Sequence, residues 1–138
     1  YFMLIMEFNG ERARELLDYI INLSENTNAV VKEIDGKRIG IIVGERHYAR
    51  TFTTVSYSIL FLQSSATTCE VYTIGAEGSS KARIDLGAQR DLEERIAKSI
   101  LENALNSLGL ENTLYKRQEK TYYPFSKSIF DYHIPSDK

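Results

Sequence analysis

The sequence predicts an α+β domain: an antiparallel β-sheet of about five to six strands with two helices on one face, in the order β-α-β-β-β-β-(β)-α, followed by an aromatic C-terminal extension. Three observations predict it. Short apolar segments separated by turn residues fill the stretch from Ala29 to Leu86, one amphipathic helix pattern precedes them, and a longer one follows. Strands joined by short turns pair antiparallel with their chain neighbours, and helices with a single apolar stripe bury it against a shared surface.

The first segment, Phe2 to Phe8 (FMLIMEF), is almost uniformly apolar. That suits a strand covered on both faces, or one inserted beside a partner. Asn9 is positioned as an N-cap for a helix whose apolar residues Ala13, Leu16, Leu17, Ile20 and Ile21 recur at helical spacing. Asp35-Gly36, between the β-rich runs Ala29 to Ile34 and Lys37 to Val43, predicts a hairpin closed by a type I′ turn. Phe52 to Leu62 alternates, with Val55, Tyr57, Ile59 and Phe61 on one face, and reads as a long central strand. Cys69 to Ile74 is the next strand, and Arg83 to Leu86 a short optional one. The second helix carries the stripe Leu92, Ile96, Ile100, Leu101, Ala104, Leu105 and Leu108, and Gly109 is its expected left-handed C-cap.

We therefore divide the chain into a single α+β domain over residues 1–109 and a C-terminal extension over residues 110–138. The extension holds six of the fifteen aromatic residues, Tyr115, Tyr122, Tyr123, Phe125, Phe130 and Tyr132, with no sustained helical or strand period. Disordered tails are depleted in such side chains, so this segment is expected to dock on its own domain or on a partner chain, and those six residues are the candidate interface.

Composition narrows the function classes. A net charge of -2 and a pI near 5.7 give the molecule no overall footprint of a nucleic-acid binder. The alternation of aromatic and basic residues from Tyr115 to Tyr123 resembles a single-strand binding surface, yet Glu111, Glu119, Asp131 and Asp137 nearly cancel its charge. Nucleic acid is the minor reading there and docking the major one. A lone cysteine, Cys69, rules out an internal disulfide and fits a reducing, cytoplasmic setting. The apolar N-terminal segment is far shorter than the ~20 residues a membrane-spanning helix needs. His47 and His133 stand apart from any cysteine or carboxylate at ligand spacing, so neither a metal nor a cofactor is expected.

Two loops could meet an anion. Gly75, Gly78, Ser79, Ser80 and Lys81 have the makings of a backbone nest, although no helix pattern follows as a P-loop requires. Arg46, His47 and Arg50 form a basic cluster at the expected turn before the central strand. For both, the plain reading is a solvated turn. No catalytic constellation emerges: Cys69 sits on an apolar strand with no base beside it.

The run Ile74-Gly75-Ala76-Glu77-Gly78-Ser79-Ser80, with the step Ile84-Asp85-Leu86-Gly87-Ala88 into the last helix, resembles a group of short prokaryotic β-α-β-meander-α proteins of unknown function over residues 5–108. That resemblance implies a fold and no activity. The element order also resembles a reduced helix-grip domain, a type that holds lipids or hormones in a cavity beneath its long helix, but the usual second helix after the first strand is missing. The expected function is a non-enzymatic interaction module that forms a homo-oligomer through its first strand and aromatic tail. The alternative is a small-molecule or anion-binding domain, or an enzyme, with a pocket between sheet and helices.

Overall fold

The computed structural model describes residues 2–24, 27–48, 53–77 and 88–119. Strand β1 (Phe2–Asn9) leads through a 3-10 turn (Ala13–Glu15) into α1 (Leu16–Leu23). Then come β2 (Asn28–Ile34), β3 (Lys37–Tyr48), β4 (Thr53–Ser65), β5 (Thr68–Glu77), α2 (Ala88–Asn106) and β6 (Glu111–Glu119). The six strands form one antiparallel sheet in the order β2-β3-β4-β5-β1-β6. The architecture and element order are those the sequence predicts; the optional strand Arg83 to Leu86 lies outside the described residues.

The meander β2 to β5 follows from its turns. Asp35 and Gly36 adopt φ values of 52° and 75°, the two left-handed residues of a type I′ turn, which twists the hairpin in the same sense as the strands it joins. β1 then takes the free edge of β5, with Met6 opposite Val71. Its apolar sequence suits this place, because an internal strand is covered on both faces: Leu4, Met6 and Phe8 are buried toward the helices, and Ile5 is buried on the other side.

β6 was not legible as a strand. Residues 111–119 extend the sheet beyond β1, with Tyr115 opposite Met6 and Arg117 opposite Leu4, and a bulge where Glu7 gives way to Phe8. The strand covers little apolar surface and so carries no apolar alternation.

Both helices pack on the face presented by Leu4, Met6, Phe8, Ile42, Ile59, Phe61, Cys69 and Val71, and one continuous core joins these residues to Leu16, Leu17 and Ile20 of α1 and to Ala97, Ile100 and Ala104 of α2. α1 lies over β3 at Gly40, where a Cβ atom would meet Leu17 Cδ2 at 2.5 Å. A side chain there would have to displace the Leu17 side chain from its place on the sheet. Contrary to the expectation from sequence, Asn9 does not cap this helix. It ends β1, donating from Nδ2 to Thr113 Oγ1 (2.7 Å) and accepting at Oδ1 from Thr68 Oγ1 (2.6 Å), so its polar groups tie β6 and β5 together. The helix begins later, after the 3-10 turn that carries the buried Ala13.

α2 ends as expected: Gly109 has φ 62°, the left-handed C-cap, and the Leu110 N-H turns back to donate to the Ala104 carbonyl at 2.9 Å. Its buried face is rotated from the predicted one. Leu92, Ala97, Ile100, Ala104 and Leu108 are buried, whereas Leu101 is only half-buried and Leu105 is exposed. The small residues Ala97 and Ala104 let the helix lie close to the sheet, and the rotation brings Glu93 inward. Ile100→Ala is accordingly expected to cost about 2 to 4 kcal/mol in a urea melt, and Leu101→Ala distinctly less. Equal costs at the two sites would contradict this orientation.

Candidate functional site

The register of the sheet assigns every side chain to a face, and the face away from the helices carries an unusual amount of apolar surface. One row crosses five strands as Val30, Ile41, Leu60, Tyr72 and Ile5 and ends on Lys116 of β6. The row on one side reads Lys32, Ile39, Leu62, Glu70, Glu7 and Leu114, and that on the other Asn28, Val43, Ser58, Ile74, Met3 and Gln118. Val30 is 66% exposed, and Ile41, Val43 and Ile74 are each more than 40% exposed. Neither helix covers them.

The carboxylates on this face are held locally. Tyr72 Oη donates to Glu70 Oε2 at 3.2 Å, and Thr113 Oγ1 and Asn9 Nδ2 donate to Glu7 Oε1 at 3.2 and 3.4 Å. Burial, together with the neighbouring Glu70 charge, raises the Tyr72 phenol above its ordinary range, so it remains a donor at neutral pH. The edge strand β2 is exposed along its whole length.

On the helix side, β6 and α2 build a second feature that sequence reading missed. Arg117 reaches across to α2, donating from one terminal nitrogen to Glu93 Oε2 (3.1 Å) and from the other to Glu94 Oε1 (3.0 Å). The Glu93 side chain is 1% exposed and that of Arg117 19% exposed. A groove of about 350 Å³ runs beside this clamp, lined by Leu4, Glu94, Lys98, Leu101, Tyr115 and Arg117. The available signal was the spacing of Tyr115 and Arg117, two residues apart and thus on one face of a strand; it was unreadable while residues 111–119 were not assigned as a strand.

The anion-binding candidates fall differently. Arg46 and His47 belong to β3, paired with Val55 and Thr54 of β4, and not to a turn. Gly75 likewise belongs to β5, opposite Tyr57, and the strand runs on to Glu77. Gly78, Ser79, Ser80, Lys81 and Arg50 lie outside the described residues, as do Tyr122, Tyr123, Phe125, Phe130 and Tyr132. Of the aromatic candidates, Tyr115 stands in β6 and is 47% exposed beside the groove.

Cys69 is a core thiol. It is 3% exposed, and burial, with a smaller contribution from the Glu70 charge, pushes its pKa up to about 12. The thiolate is the reactive species. Native protein at pH 8 should therefore resist a thiol reagent that labels it at once in denaturant, and rapid native labelling would disprove the assignment. Among the described residues no group of three or more His, Cys, Asp or Glu is placed to hold a metal ion, and no helix is long and apolar enough to cross a membrane. No family model, curated protein or solved structure matches the chain.

Proposed function

We propose that this chain is a non-enzymatic interaction module that self-associates, working in the cytoplasm. The observation that carries the reading is the contrast between the two faces of the sheet. On the helix side the space is filled by side chains such as Met6, Phe8, Leu16, Ile42 and Val71, each with no exposed surface, whereas on the opposite face Val30, Ile41, Val43 and Ile74 are each more than 40% exposed. Patches of that kind on folded domains mark surfaces that meet another molecule. β1 contributes through the half-buried Met3 on that face, since both of its edges are occupied by β5 and β6. The aromatic residues of the extension add further contact surface in this reading.

Light scattering on the full chain tests it. A mass above one chain that falls on dilution is the expected result, and a single-chain mass at every concentration would end the proposal. The groove lined by Glu94, Lys98, Tyr115 and Arg117 favours a second reading, binding of a small polar molecule against α2. Under that reading the chain stays monomeric, and Lys98→Ala weakens ligand binding without changing mass.

A further inference from the structure

We infer that the free edge of β2 pairs with the same edge of a second copy, joining the two sheets about a two-fold axis at Val31. This rests on the self-association proposed above and adds, to the contact on the sheet face, a contact at its edge. The sheet ends in two edge strands, β2 and β6, and they are built differently. β6 is guarded: a bulge interrupts its ladder, and apart from Leu114 and Tyr115 its residues are polar. β2 has neither device. Its ladder with β3 runs from Asn28 to Ile34 without a bulge or a proline, and Val30 and Ile34 on the open face and Val31 on the helix face are all exposed. Natural sheets interrupt or charge an edge that is to stay free, whereas a strand apolar on both faces belongs inside a sheet.

The hairpin turn fixes which backbone groups are free. Across the two-residue type I′ turn the flanking residues, Ile34 and Lys37, form a hydrogen-bonded pair, so Asn28, Val30, Lys32 and Ile34 turn their backbone groups to β3, and Ala29, Val31 and Glu33 turn theirs outward. Antiparallel pairing about Val31 sets Val31 opposite itself and Ala29 opposite Glu33 of the second copy. Each such facing pair exchanges two N-H···O bonds, so every outward N-H and C=O of these residues is used. The side chains agree. Glu33 keeps its ion pair with Arg14 at 2.6 Å and so brings no unpaired charge to the joint. Lys32 lays its stem along Val30 of the second copy, with its ammonium in water over the face that neither helix covers. Moving the axis by one residue is worse in both directions: towards Ile34 it sets Lys32 against Lys32, and towards Asn28 it leaves Glu33 beyond the end of the second strand. Pairing β2 with β6 would run head to tail and leave one edge of each kind open to further copies, whereas the two-fold joint closes with the guarded β6 at both ends.

Sedimentation equilibrium on the full chain and its variants tests the joint, with circular dichroism verifying that each variant is folded. The wild type should contain a two-chain species. Val31→Pro removes an outward donor while leaving the bonds to β3 in place, and Val31→Lys sets two cations against each other on the axis; each should raise the dissociation constant at least about tenfold. Cross-linking reads the register. Val30 and Lys32 of the second copy face each other with Cα atoms about 4.5 Å apart, within disulfide reach, whereas the two copies of either position lie about 8 Å apart. Under a mild oxidant, a mixture of the Val30→Cys and Lys32→Cys proteins should therefore form a covalent dimer that neither forms alone, the buried Cys69 staying silent. If the chain associates but a folded Val31 variant does so as tightly as the wild type, this inference falls and self-association through the sheet face stands. If the Val31 variants weaken association and the mixture cross-links no better than Val30→Cys alone, the register is overturned. A monomeric wild type overturns both the inference and the reading beneath it.

Discussion

Phe8→Ala is expected to cost about 3 to 5 kcal/mol, the largest loss at any single apolar position of this chain. Phe8 has no exposed surface and belongs to the core that unites the sheet with both helices. It sits at the end of β1 where three strands meet, opposite Cys69 of β5 on one side and Asn112 of β6 on the other. Next to it the β6 ladder is already interrupted by the bulge, so the backbone has little freedom to close over a vacancy. Cost rises with the part of a cavity that cannot collapse, which is why the upper half of the usual range applies here. Chemical denaturation of the variant checks it, and a loss below about 1 kcal/mol would show that Phe8 is not where the layers are joined.

Arg117→Met should destabilise the fold by about 3 kcal/mol, even though β6 is an edge strand that buries little apolar surface. The effect comes from Glu93, whose side chain is almost fully enclosed and faces the Arg117 guanidinium at 3.1 Å. Removing the cation takes from this enclosed carboxylate a charge partner that water cannot replace, and losses of roughly 3 to 5 kcal/mol are typical when one member of a buried ion pair is lost. The double variant Arg117→Met/Glu93→Gln should recover much of the loss, because neutral groups of similar shape no longer carry the desolvation cost of a charge. An additive double variant would mean that the two residues do not act as a pair. Glu94, half exposed on the other arm of the clamp, should matter far less: Glu94→Ala is a surface change within about 1 kcal/mol.

Those two sites also mark where sequence was informative and where it was not. The period of Val55, Tyr57, Ile59 and Phe61 and the Asp35-Gly36 turn speak directly, because a central strand or a tight hairpin imposes its demands on the residues that form it. Gly109 speaks as clearly at the end of α2. β6 is silent for the opposite reason: an edge strand held by backbone pairing, the polar contacts of Asn112 and Thr113, and the Arg117 clamp asks almost nothing apolar of its sequence. Glu93 misleads outright, since a carboxylate inside a helix reads as solvent-facing until its partner, more than twenty residues further on, is known. The sheet face away from the helices was half visible. Ile39, Ile41 and Val43 announce a strand, but only the cross-strand register shows that they line up with Leu60, Tyr72 and Ile5 on the side the helices leave open. Asn9 illustrates a further limit, because the same side chain suits a helix cap and a strand end, and tertiary neighbours decided between them.

The position of β1 has a kinetic consequence. It is the earliest strand in chain order, yet its two neighbours come late: Met3 waits for Ile74, and Phe2 for Glu119 at the far end of β6. Until β5 is made, the most apolar strand of the sheet has nothing to pair with, and until β6 is made one of its edges stays open. Long-range pairing of this kind slows folding and prolongs the time in which sticky strand edges are accessible. Refolding from denaturant should therefore be slow and sensitive to protein concentration even where the finished fold is stable.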